Sequence, residues 1–137
     1  MSMRVRSALA VAAALGIAGC GGEERAVGDR PASSINVTAA IADGAIHVSP
    51  QEFGAGPIRL LVSNQTASAQ ELTFETGGNA SGVTQTTTPI DPDGTATLDV
   101  DVTEGDYELS TTDAKVEPAA VAVGAPRPSA QNDLLLP

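Results

Sequence analysis

From Ile35 to Val123 the apolar residues recur at every second position, and nothing else in the chain restricts its fold as strongly. Ile35, Val37, Ala39 and Ile41 alternate with Asn36, Thr38 and Ala40; Asp43-Gly44 supplies a turn, and Ile46 and Val48 flank His47. Ile58, Leu60 and Val62 alternate with Arg59, Leu61 and Ser63, and Leu72 and Phe74 stand among Glu71, Thr73 and Glu75. Leu98, Val100 and Val102 interleave with Thr97, Asp99, Asp101 and Thr103, Tyr107 and Leu109 with Asp106, Glu108 and Ser110, and Val121 and Val123 close the series. A period of two sends successive side chains to opposite faces of a strand. Gly, Pro and Asp turns between the runs bring each strand back on the last. The pattern predicts an all-β, antiparallel Greek-key β-sandwich. No amphipathic helix longer than two turns fits anywhere after the first twenty residues.

The core of such a sandwich has to be built from small pieces. Phe53, Phe74 and Tyr107 are the only aromatic residues, so Val, Ile, Leu and Ala must fill most of it. An aromatic side chain buries about 150–250 Å², and this chain forgoes most of that contribution.

The first twenty residues follow a different rule. Arg4 and Arg6 form a positive head and Ser7 to Ala18 an apolar run, the layout of a secretory signal. The run falls short of the roughly 20 residues that a helix needs to cross a bilayer. Ile17-Ala18-Gly19-Cys20 resembles the lipobox of bacterial lipoproteins. That resemblance implies cleavage before Cys20, lipid on its thiol, and a protein held by that lipid on the extracytoplasmic face of a cell membrane. Residues 1–19 are then the signal peptide, 20–34 a flexible tether with Gly-Gly, Glu-Glu, Arg, Asp and Pro and no apolar periodicity, and 35–137 the sandwich domain with its tail. A flexible tether of this length reaches about 20 Å.

Composition excludes several chemistries. From Cys20 onward, five basic residues face seventeen acidic ones, a difference of −12. Such a surface repels phosphate backbones, so no nucleic acid is expected as a partner. It is also held off anionic lipid, which leaves the anchoring to the acyl chains. Cys20 is the only cysteine and His47 the only histidine, and both methionines precede Cys20. Cys–His catalysis and zinc sites built from several Cys or His ligands are therefore ruled out. His47 has no nucleophile motif beside it and reads as a strand residue at a polar face.

The order of elements from Ile35 onward resembles the cupredoxin fold. Gln51-Glu52-Phe53 ahead of Gly54-Ala55-Gly56-Pro57 is similar to the family's aromatic-glycine stretch, and the strand that follows ends in Asn64. Glu71 to Phe74 matches the next strand, and Asp91 to Leu98 with Glu104-Gly105-Asp106-Tyr107 matches the later turn-and-strand pair. Blue-copper members of the family hold their metal with two histidines, a cysteine and usually a weak axial methionine, soft ligands that suit copper. By the resemblance, the first histidine position falls near Gln70 and the cysteine position at Thr111. The second histidine and the methionine would lie within Thr112-Asp113-Ala114-Lys115-Val116-Glu117-Pro118. All four ligands are replaced, so the resemblance supports the fold and contradicts the family's electron transfer.

Carboxylates offer little in exchange. Asp91-Pro92-Asp93-Gly94 lacks the spacing and the terminal glutamate of a calcium loop and reads as a turn, and Asp99 and Asp101 read as the solvated face of a strand. Paired acids could serve a glycosidase, but that chemistry works in a cleft that three aromatic residues cannot line. The Asn-x-Ser/Thr triplets at Asn36, Asn64 and Asn79 read as strand and turn residues, and Thr76 to Thr88 as the longest loop. Pro126-Arg127-Pro128-Ser129 reads as extended chain leading to Leu134-Leu135-Leu136. Each of these leucines forgoes about 1.5–3 kcal/mol of burial if left in water. They either pack back on the domain or are the contact for an envelope protein partner. The resulting expectation is a non-catalytic, lipid-anchored binding or structural module without a cofactor.

Overall fold

The computed structural model describes residues 30–78 and 82–129. They form eight strands: β1 (Ile35–Ala42), β2 (Ala45–Ser49), β3 (Glu52–Asn64), β4 (Leu72–Thr76), β5 (Thr84–Thr86), β6 (Thr95–Val102), β7 (Gly105–Thr111) and β8 (Ala119–Pro126). Each apolar run of the sequence became a strand with its apolar residues inward. The pattern did not single out β5, three exposed residues inside the segment read as a loop. Its Thr84, Gln85 and Thr86 pair with Glu75, Phe74 and Thr73, so the hydrogen bonds come from the partner strand without any apolar face.

The all-β sandwich has two sheets that share β3. Residues 56–63 of β3 pair with β6, and 58–64 with β1, whose other edge carries β2. Residues 52–55 of the same strand pair with β8, and the second sheet continues through β7, β4 and β5. Most pairs are antiparallel, but β1–β3 and β3–β8 are parallel. The first of these follows from connectivity. The β1–β2 hairpin turns the chain once, and β3 then lies along the free edge of β1 in the same direction.

The crossing point of β3 is Gly54-Ala55-Gly56-Pro57. Gly56 has φ +128°, a region that side chains rarely adopt, and the β3–β8 register slips between Gly54 and Ala55. Arg127 occupies the space above it. Its Nε donates to the Gly54 carbonyl at 3.0 Å, its Nη2 to the Pro57 carbonyl at 2.6 Å, and its Nη1 to the Ser33 carbonyl. A Cβ on Gly54 would stand 2.7 Å from Arg127 Cγ, so the glycine makes the room that the arginine uses.

The core is a layer of Val, Ile, Leu and Ala from both sheets, with Phe74 and Tyr107 as its largest pieces. Their rings stack with centroids 5.1 Å apart and planes 7° from parallel. The Tyr107 hydroxyl donates to the Thr103 carbonyl and accepts from the Thr103 N–H, both at 3.1 Å. This tyrosine corner lets a polar tip sit beside a buried ring. The Gly-x-Tyr tyrosine is thus a core residue, as its place in the sequence suggests.

Candidate functional site

One end of the sandwich gathers the positions at which the family resemblance would put a metal. Asn64 organises it. The side chain is 0 % exposed and every hydrogen-bonding atom is used. Nδ2 donates to the Ser68 carbonyl at 2.7 Å and the Ile90 carbonyl at 2.8 Å, and Oδ1 accepts from Thr66 N and Oγ1 at 3.0 and 2.8 Å. Its backbone accepts from Asp93 N and donates to the Gly94 carbonyl. A buried amide with both ends satisfied fixes the surrounding loops in one arrangement. Here it ties segment 65–70 to the turn at 91–94. That turn closes through Gly94 N to the Asp91 carbonyl at 2.8 Å, with Asp93 at φ 59°, so these acids form the tight turn expected of them.

Gln70 lies at the far end of the Asn64 loop and is 4 % exposed. Its backbone pairs with Ile90 in both directions, and Nε2 donates to Ser68 Oγ at 3.2 Å. Thr111 ends β7 opposite Leu72, which brings it beside the Gln70 segment, as the resemblance requires. Its hydroxyl reaches the Asp113 carbonyl at 3.4 Å. Beyond it the chain turns through Asp113, whose carboxylate accepts from Lys115 N at 3.0 Å. Glu117 N then donates to the Gly44 carbonyl, and Ile46 N donates to the Glu117 carbonyl, closing the loop on the β1–β2 hairpin. Thr66, Ser68, Gln70, Asp113, Lys115 and Val116 line a cavity of about 330 Å³ here.

The donors at this loop end do not fit copper. Hydroxyls, a carboxamide, a carboxylate and an ammonium stand where soft thiolate and imidazole ligands would be needed. Among the described residues no three of His, Cys, Asp and Glu form a group able to hold a metal ion. His47 is elsewhere, exposed on β2 opposite Ala40, where the alternation of Ile46-His47-Val48 puts it. Asp99 and Asp101 are likewise exposed on β6.

A second recess, of about 500 Å³, lies on the outer face of the first sheet. Leu61 stands in it, 38 % exposed and the only large apolar side chain so exposed among the described residues. The signal for it was already in the sequence, since Leu61 is an apolar residue in a polar register. Next along that face, Arg59 Nε donates to Asp99 Oδ1 at 2.8 Å. That hydrogen bond, and then the charge of Asp99, hold the guanidinium above its ordinary pKa. The role of Arg127 had no such signal: three carbonyls meet at one guanidinium only once the strands are assembled. Cys20 and Leu134, Leu135 and Leu136 lie outside the described residues.

No protein-family model matches the chain, and no curated protein is significantly similar to it. Two of the solved structures to which it is similar are as follows. One is dithionite-reduced auracyanin from the photosynthetic bacterium Roseiflexus castenholzii, at 16% identity and a TM-score of 0.49, over 68% of this chain and 98% of that one. The other is a multicopper oxidase, at 16% identity and a TM-score of 0.43, over 72% of this chain. The chain matches only 45% of that oxidase's length. The architecture of the described residues is an all-β sandwich with mixed strand pairing.

Proposed function

We propose that this chain is a lipid-anchored, non-catalytic module of a bacterial cell envelope, carried on the extracytoplasmic face by Cys20 and serving to bind or to space other envelope components. The observation that supports a non-redox role is the loop end itself. Gln70 and Thr111 occupy the ligand positions implied by the resemblance, and each is committed to hydrogen bonds within the domain. The support for the anchor is Ile17-Ala18-Gly19-Cys20 at the end of a charged and then apolar segment. An envelope protein is the expected partner class, since the acidic surface disfavours both nucleic acid and anionic lipid.

The test is mass spectrometry of the membrane fraction of the native host. The expected species begins at Cys20 and carries a diacylglyceryl group, and Cys20→Ser releases the protein from the membrane. A mature N-terminus elsewhere, or a Cys20→Ser protein still bound to membrane, overturns the anchor. Crosslinking at the membrane surface, with identification of what is captured, then tests the binding role.

A further inference from the structure

We infer that two copies of this chain join edge to edge along β6, antiparallel about a two-fold axis at Leu98, so that their first sheets run on as one. Three observations point to this partner and fix its register.

The first is the edge itself. Among the described residues β6 pairs only with β3, so the backbone groups on its other side have no ladder partner there. The other sheet margins are short or covered. β5 has three residues, and β2 is bridged at Ala45 by Glu117, whose carbonyl accepts from Ile46 N. β6 runs for eight residues in unbroken register with β3 and holds no proline, bulge or lysine, the devices that keep a free strand from pairing. An open strand of that length is a template for another strand.

The second is the apolar side of that edge. Val100 and Val102 are buried on the core face, but Ala96 and Leu98 on the same face are only half-buried. With the two-fold at Leu98, the Leu98 side chains of the two copies meet, and Ala96 of each copy meets Val100 of the other. Cross-strand apolar pairs of this kind are what stabilise a sheet.

The third is charge. Opposed residues in an antiparallel pair share a face, so a two-fold pairing has to centre on a residue. Centring on Asp99 sets that carboxylate against itself, and centring on Val100 sets Asp99 against Asp101. Centring on Thr97 brings Asp101 to the turn that holds Asp93. Centring on Leu98 instead sets Thr97 opposite Asp99 and Thr95 opposite Asp101, hydroxyl donors against carboxylates. Asp99 is further balanced by Arg59, whose Nε donates to it at 2.8 Å. A chain with seventeen acidic and seven basic residues associates with itself where its acids avoid one another, and this register does that.

Sedimentation equilibrium of the full chain tests the inference. The expected result is a monomer–dimer equilibrium that tightens as salt is raised, since both copies carry the same net negative charge. Thr97→Asp opposes a second carboxylate to Asp99 at two symmetric places and should weaken the dimer about 2- to 30-fold, and Thr97→Lys should tighten it on the same scale. Thr97 is exposed, so neither variant disturbs the core. In a mixture of differently labelled copies, nuclear magnetic resonance should show cross-relaxation between the Ala96 methyl of one copy and the Val100 methyls of the other. A monomer at every concentration reached overturns the inference. So does a dimer indifferent to both Thr97 variants, whose contact lies on another surface. Cross-relaxation from Ala96 and Leu98 to a further segment of the same copy also overturns it, since the edge is then covered by the chain itself.

Discussion

Arg127 Nε donates to the carbonyl of Gly54 at 3.0 Å, across 73 residues of chain. This bond and its two companions hold the start of β3, the end of β8 and the segment before β1 together at the one place where a strand passes from sheet to sheet. Backbone carbonyls at such a crossing lose their ladder partners, and the guanidinium supplies donors in their place.

Arg127→Ala should therefore destabilise the domain by about 2–3 kcal/mol, since hydrogen bonds from a charged donor are the stronger kind. For a sandwich of this size that is a fall in melting temperature of roughly 8–24 °C. Arg127→Lys should recover less than half of the loss, because a point charge cannot serve three carbonyls in a plane. A thermal unfolding scan with an unchanged midpoint in Arg127→Ala would show that the clasp is ornamental.

Asn64→Leu keeps the volume of the buried side chain but removes its donors and acceptor. The Thr66 N–H then loses its partner, while the Ser68 carbonyl keeps Thr66 Oγ1 and the Ile90 carbonyl keeps Gln70 N. The orphaned N–H costs about 1–3 kcal/mol and each bond lost to a carbonyl about 0.5–1.5 kcal/mol, so a total loss of about 2–6 kcal/mol is expected. Denaturant titration measures it. Amide exchange should accelerate first in residues 65–70, which depend on Asn64 for their shape.

Tyr107 separates ring from hydroxyl. Tyr107→Phe removes only the bonds to Thr103 and should cost about 1–2 kcal/mol. Tyr107→Ala also removes the partner of Phe74 and should cost about 3–5 kcal/mol. Equal losses in the two variants would mean that the corner bond, and not the stacked ring, carries the effect.

Titration of the purified protein with Cu(I) or Cu(II) should produce no intense charge-transfer band, because the donors at the loop end include no thiolate. Installing Gln70→His and Thr111→Cys together should begin to restore copper affinity if the loop end keeps the family's geometry. A double variant that binds no more copper than the parent would show that the loops have diverged along with the ligands.

The strands were legible because alternation is a local property: each residue's face follows from its neighbour's. Leu61 was legible for the same reason, as an apolar residue in a polar register. β5 was not, since a short polar strand is created by the hydrogen bonds of Glu75, Phe74 and Thr73 beside it, and leaves no mark on its own side chains. Nor was the direction of the pairs, as both parallel pairings join segments far apart in sequence.

The sequence by itself determined which residues face inward, where the turns fall, and that the donors at the loop end are hard and not soft. These depend on side-chain chemistry and on periodicity, and neither needs a partner strand to be defined. Only the tertiary structure decided that β3 serves two sheets, that Asn64 satisfies four partners at once, and that Arg127 clasps three carbonyls from distant segments. Most of the partners in those meetings are backbone groups, which every residue carries alike, so the identity of Asn64 or Arg127 could not announce them before the chain had folded.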